Sequence, residues 1–261
     1  MKPTFLNQTR PLITAMVLKS TPDAMRFTIK NSIFDGADAL GVQLERLTPE
    51  FKAPEHYRSI FAAAGQRPIY VTNYRHTYNK GLTDERCMEE LLRAMACGGT
   101  LADVMGDTYD PGADLELTMK GAAVARQMEL IDRLHAMGKE VLMSSHVMRY
   151  IAAEQVLEIA FEQQRRGADI VKIVTAANTD EEQMENLRIT SLLKRELSVP
   201  FLFLSGGTHS KIHRMIGPML GCVTYLAVWQ HDECAVPTQP TVKNAKQVRD
   251  HFDYLPDTVI E

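Results

Sequence analysis

Cysteine is scarce in this chain: four residues in 261, Cys87, Cys97, Cys222 and Cys234, with no C-x-x-C pair among them. That spacing builds neither a disulfide framework nor a thiolate zinc site, so the thiols are expected to be reduced. An excess of one charge is also missing. Lys and Arg number 29 against 33 Asp and Glu, a net charge of -4, and no basic stripe is interleaved with aromatics, which sets nucleic acid aside as a partner. No apolar run approaches the ~20 residues of a membrane span. The opening Met1-Lys2-Pro3-Thr4-Phe5 holds no apolar run of signal-peptide length, so a cytoplasmic protein is expected. No Pro/Gly-rich linker or shift of composition divides residues 1–261, and one domain is expected.

What the chain does have is rhythm. Short β-branched runs alternate with longer helical patterns, and eight such runs can be counted: 11–18, 39–45, 68–73, 101–107, 140–145, 168–174, 200–205 and 222–228. Between them lie helix signals. Thr21-Pro22-Asp23 reads as an N-cap with proline at the first helical position, Thr83-Asp84-Glu85 as an acidic first turn, and Thr179-x-x-Glu182 as a capping box. Helices are expected from Pro54 to Gly65, from about Asp114 to Gly138, from Ala153 to Arg166 and near Val242 to Phe252. This succession predicts an α/β fold, a single parallel (β/α)8 barrel, with a doubly wound open sheet as the alternative.

The sixth run, Ala168-Asp169-Ile170-Val171-Lys172-Ile173-Val174, places one lysine among apolar neighbours. A buried ammonium costs several kcal/mol unless it is paired or loses its proton, and a neutral, desolvated amine is a nucleophile. The plainer reading is a lysine that pairs with a carboxylate or snorkels to water. Barrel chemistry sits at the C-terminal ends of strands. The polar residues expected there are Gln43 and Glu45, then Asn73, Tyr74 and Arg75, then Asp107, Ser145 and His146, Lys172, and Ser205-Gly206-Gly207-Thr208. An amine that attacks a ketone, beside an imidazole that moves protons near neutral pH, is the minimal kit for Schiff-base chemistry.

The motifs Ser144-Ser145-His146, Gly167-Ala168-Asp169-Ile170-Val171-Lys172-Ile173, Ser205-Gly206, His213-Arg214-x-x-Gly217-Pro218-x-x-Gly221-Cys222 and Thr238-Gln239 resemble, in content and spacing, the type I 3-dehydroquinate dehydratases. The likeness runs through nearly the whole chain. It implies a (β/α)8 lyase of the shikimate route, which feeds aromatic amino acid biosynthesis. It also implies a lysine imine on the substrate ketone and no cofactor, in turning 3-dehydroquinate into 3-dehydroshikimate and water. By position Lys172 would form the imine, His146 would move the protons, Arg214 would hold a carboxylate in a two-pronged grip, and Gln239 would sit on a lid.

Departures from the family are equally specific. Its Glu-x-Arg on the second strand is replaced by Gln43-Leu44-Glu45, and its Thr-x-Arg on the third becomes Thr72-Asn73-Tyr74, with Arg75 one place late. Its Asp-x-Glu on the fourth becomes Asp103-Val104-Met105, and Asp107, on the same pleat face as Met105, is expected to orient His146 instead. The imine machinery is kept while the substrate-reading shell is rewritten, which predicts altered substrate preference. Catalysis is therefore expected from Lys172, His146 and Asp107, and substrate binding from Arg214, Gln239, Gln43, Glu45, Asn73, Arg75 and Ser205.

Three other readings compete: a Schiff-base lyase or aldolase for another keto acid, a metal-dependent barrel using Glu45, Asp107 and His146, and a barrel that only binds its ligand. Gly206-Gly207 suits an anion nest or a tight turn. His209, His213, Trp229, Tyr225 and the 14 methionines read as packing or surface residues. The expected partner is a small keto-acid substrate; the sequence does not fix the oligomeric state, and a homodimer is the assembly common among such barrels.

Overall fold

A computed structural model describes residues 2–252; Met1 and 253–261, which the one-domain expectation includes, lie outside the described residues. Eight parallel strands are laid down in turn: β1 (Leu12–Val17), β2 (Ala39–Gln43), β3 (Ile69–Thr72), β4 (Leu101–Met105), β5 (Glu140–His146), β6 (Ile170–Ala176), β7 (Phe201–Gly206) and β8 (Thr224–Val228). Each is followed by a helix: α1 (Pro22–Phe34), α2 (Pro54–Ala62), α3 (Asp84–Ala96), α4 (Gly121–Ala136), α5 (Ala153–Arg165), α6 (Asp180–Glu196), α7 (Lys211–Leu220) and α8 (Val242–Phe252). Strands pair in the order β7-β6-β5-β4-β3-β2-β1-β8, all parallel, giving a nearly closed (β/α)8 barrel. At the seam between β7 and β8, Val223 N donates to Phe201 O at 2.9 Å.

The caps form where their chemistry predicts. Thr21 accepts from Ala24 N with Pro22 in the first turn, Thr83 accepts from Arg86 N, and Thr179 accepts from Glu182 N. Two expectations are corrected. The sixth strand runs two residues later than expected, and Lys172 stands near its middle, as expected. No helix begins at Asp114: residues 107–120 form a loop with one 3-10 turn (Asp114–Glu116), and α4 starts only at Gly121. Leu115 and Glu116 lie at φ 59° and 47°, in the left-handed region a helix cannot use.

Because successive side chains point to opposite faces, parity sorts the strand residues into inside and outside. Outward residues such as Ile13, Val42, Val71, Val104 and Met143 pack with Met25, Ile60, Leu91 and Leu134 of the helical ring. Inward residues fill the barrel in layers, Leu101, Leu142, Ile170 and Leu202 lying low around Tyr70. Above them the packing opens into a cavity of about 520 Å³ at the C-terminal ends of the strands.

The loop after β4 is held from behind by Arg166, whose buried guanidinium donates to Gly106 O (3.2 Å), Gln127 Oε1 (2.7 Å), Thr118 O (2.5 Å) and Glu162 Oε1 (2.7 Å). Arg166→Ala would strip Thr118 O and Gln127 Oε1 of their donor inside the fold, while Gly106 O keeps Thr118 N and Gln127 Nε2 and Glu162 keeps Arg165. It is expected to cost about 3 kcal/mol, read as a lower urea midpoint at unchanged m-value.

Candidate active site

The upper cavity takes its polar lining from several strand ends. Lys172 rises from β6, His146 from the end of β5, Tyr74 and Arg75 from the turn after β3, Gln43 from β2, Arg214 from α7 and Gln239 from the segment before α8. Lys172 is 4% exposed. Its amine is paired rather than isolated: Nζ lies 2.6 Å from Tyr74 Oη, 2.9 Å from Tyr70 Oη and 3.2 Å from Asp103 Oδ2. Of the two readings open for this lysine, the contacts are those of the plainer one, pairing with a carboxylate, here capped by two phenols. Both phenols donate to Asp103 Oδ2, Tyr74 at 2.5 Å, while Ser144 Oγ donates to Oδ1.

Electrostatics follow from that packing. Burial alone would raise the Asp103 carboxyl, but the charges of Lys172 and His146, with hydrogen bonds from Ser144 and Tyr70, hold it below the usual carboxylate range. Burial, reinforced by the Asp103 charge, pushes both phenols well above the usual tyrosine range. The cluster therefore rests as one carboxylate and two neutral phenols around the amine.

His146 is oriented by Glu116, whose Oε1 lies 2.9 Å from Nδ1; its ring stands edge-on to Tyr74, centroids 5.1 Å apart. Asp107 does not take this part. It accepts from Arg75 Nη1 at 2.7 Å and from Gly112 N at 2.9 Å. Parity on the strand pointed to Asp107, but the chain turns there, and the left-handed backbone at Leu115 and Glu116 swings Glu116 back to the histidine. Such strain is commonly stored at functional sites.

The remaining expected site residues divide. Arg214 lines the cavity with Nε donated to Ser205 O at 2.7 Å. Its Nη atoms have no partner among the described residues, and burial lowers its pKa to about 10, conditions that favour an incoming anion. Gln43 and Gln239 each keep a buried amide oxygen with no hydrogen-bond partner among the described residues. Arg75 reaches the cavity wall but is already spent on Asp84 and Asp107.

Asn73 points the other way, donating to Cys87 O and accepting from Asn79, because its parity is opposite to that of Tyr74. Ser205 likewise faces α6, accepting from Asn186 Nδ2 at 3.1 Å. Glu45 is wholly buried, bonded by Thr72 Oγ1 and Tyr74 N outside the cavity lining. Glu45, Asp107 and His146 are thus bound to three different partners, and no group of three metal-ligating side chains forms among the described residues, which corrects the metal reading.

Gly207, at φ +80°, makes a turn whose neighbouring N–H groups are committed to Ala177 O and Asn178 Oδ1 rather than to an anion. His213 packs against Phe203 and meets Thr190, and burial pushes it down to about 3. Trp229 donates to Asp35.

Sequence reasoning overlooked Tyr70, the contact of Tyr74 with the amine, the counterion role of Asp103, and Glu116. One signal was available: Tyr70, Tyr74, Asp103 and Lys172 all have inward parity. Met16, Met105 and Met148 line the cavity, Met16 and Met105 as buried residues of the core.

The profile of the type I 3-dehydroquinase family matches residues 16–255. Among curated relatives, the 3-dehydroquinate dehydratase of Alkaliphilus oremlandii is 28% identical over 121 residues, 46% of this chain and 47% of that protein. That of Pyrococcus abyssi is 30% identical over 121 residues, 46% of this chain and 53% of its own. The matched part spans about half the length of these relatives. The crystal structure of 3-dehydroquinate dehydratase from Geobacillus kaustophilus superposes with a TM-score of 0.79 at 18% identity, covering 95% of this chain and 93% of that one, a likeness of fold.

Burial lifts the Glu45 carboxyl to about 7 against the hydrogen bonds that support its charge. A folded-state value raised above the unfolded value of about 4.5 stabilises the protein fully below pH 4.5, and that stability is lost as pH rises through 7. The loss is roughly 3 kcal/mol by pH 8. Glu45→Gln is expected to flatten this part of the stability profile, measured by urea unfolding at pH 5 and pH 8.

Proposed function

The chain belongs to the type I 3-dehydroquinase family, and from that premise we propose that it is a Schiff-base lyase of the 3-dehydroquinate dehydratase kind, with an altered substrate-binding shell. The observation that carries the reading is the convergence of Lys172, His146 and Arg214 on one cavity. The Lys172 amine attacks the substrate ketone, and loss of water leaves an imine. The imine draws electrons from the adjoining carbon, so that His146, held by Glu116, removes a proton there. The electron pair then expels the hydroxyl on the next carbon, which leaves as water with the proton His146 returns. Hydrolysis of the imine frees the product and the amine.

Arg214, with its Nη atoms open, receives the substrate carboxylate. The unpartnered amide oxygens of Gln43 and Gln239 suit hydroxyl donors on the ligand. Among the described residues no helix is long and apolar enough to cross a membrane. The reading extends to one domain over residues 1–261, action in the cytoplasm on a small keto acid without cofactor, and a homodimeric assembly.

Borohydride added with 3-dehydroquinate is expected to fix a mass adduct on Lys172, and Lys172→Met to abolish it; failure of the wild type to form the adduct removes the proposal. Glu116→Gln is expected to lower kcat on the order of 10-fold with KM little changed, measured by steady-state dehydration.

A further inference from the structure

Resting on the imine reading above, we propose that Tyr74 is itself a catalytic residue: it passes a proton between Lys172 and Asp103 and so turns the buried ammonium into a nucleophile aimed at the cavity. The difficulty it resolves is plain in the geometry. An ammonium has no lone pair, and here all three of its acceptors, Tyr70, Tyr74 and Asp103, are engaged. The lone pair appears where a proton leaves. Of the three acceptors only Tyr74 lines the cavity, so proton loss along that contact leaves the pair on the cavity side of the amine, where rotation about the Cε–Nζ bond turns it from the phenol to an incoming carbonyl.

Tyr70 and Tyr74 both bridge the amine to Asp103 Oδ2, and the hop from amine to phenol is the shorter at Tyr74. The Tyr74 oxygen lies 2.6 Å from Nζ and 2.5 Å from Asp103 Oδ2, whereas the amine and the carboxylate are 3.2 Å apart. The step balances. One proton moves from Nζ to Tyr74 Oη as the phenol's own proton moves to Asp103 Oδ2, leaving a neutral amine, a carboxylic acid and an unchanged phenol. The amine attacks, the C–N bond forms, and the carbonyl π pair moves to oxygen. That oxygen takes one proton from nitrogen and the stored proton from Asp103 through Tyr74, then departs as water while nitrogen closes the C=N bond. A protonated imine again faces an Asp103 carboxylate. Substrate that shuts out water favours the neutral pair at the start, since desolvation penalises separated charge.

The probe is glyoxylate, a small aldehyde carrying a carboxylate, with cyanoborohydride trapping read by mass at Lys172. Tyr74→Phe is expected to slow trapping on the order of 100-fold and to regain rate in added imidazole, a base able to enter the cavity. Tyr70→Phe removes a contact of the same kind beneath the cavity and is expected to show no such rescue. On the wild type, trapping rates in H2O/D2O mixtures are expected to give a bowed proton inventory, two protons moving together. That measurement stands alone if Tyr74→Phe does not fold. A Tyr74→Phe rate equal to wild type, a loss without imidazole rescue, or a linear inventory overturns the relay and leaves the imine reading in place. Absence of any Lys172 adduct in the wild type, with glyoxylate and with 3-dehydroquinate, overturns both.

Discussion

A positive charge inside a ring of strands persists only if a negative one is set against it, and in this barrel that constraint is met by Asp103 facing Lys172. Removing either partner would leave the other buried and uncompensated, a far larger penalty than the pair's own net contribution. The surrounding layer reflects the same demand. Ser144 and the two tyrosines spend their hydroxyls on the Asp103 carboxylate, and the aliphatic layer beneath closes the barrel floor against water. Rigidity here is what holds the amine at one height below the cavity.

The imidazole is placed by different means. Glu116 belongs to a loop rather than a strand, and its position depends on backbone held in an unfavourable conformation. Arg166 offsets that cost from the outside of the barrel by binding both ends of the loop, at Gly106 and Thr118. An arginine of the helical ring is thereby coupled to the orientation of a histidine facing the cavity. Loop and strand contributions meet at Tyr74, which touches the amine through its hydroxyl and the imidazole through its ring.

The barrel was legible because two periodicities, two for strands and 3.6 for helices, alternate cleanly along the chain, and because Thr21, Thr83 and Thr179 announce helix starts by their own hydrogen-bonding chemistry. Lys172 was legible as a polar residue in an apolar run. The partners were not. Asp103, Tyr70 and Lys172 lie far apart in sequence, and only closure of the sheet shows that three inward-facing residues share one height. Glu116 was hidden for another reason: residues 114–120 mimic the start of a helix, and nothing in the sequence signals left-handed backbone at Leu115. Asn73 and Ser205 were misplaced because proximity to a strand end was weighed without parity.

Two guanidinium groups border the cavity, and they are not equivalent. Arg75 is neutralised by Asp84 and Asp107, whereas Arg214 spends one nitrogen on a carbonyl and keeps the rest open. On the proposed reading, the acid end of a substrate is drawn toward the seventh helix and away from the third strand. With the ketone tethered at Lys172 and the carboxylate at Arg214, rotation about the line joining them is the only freedom left, and His146 stands on one side of that line. On that same reading proton removal is stereospecific, because only one of two prochiral hydrogens on the carbon beside the imine is turned toward His146.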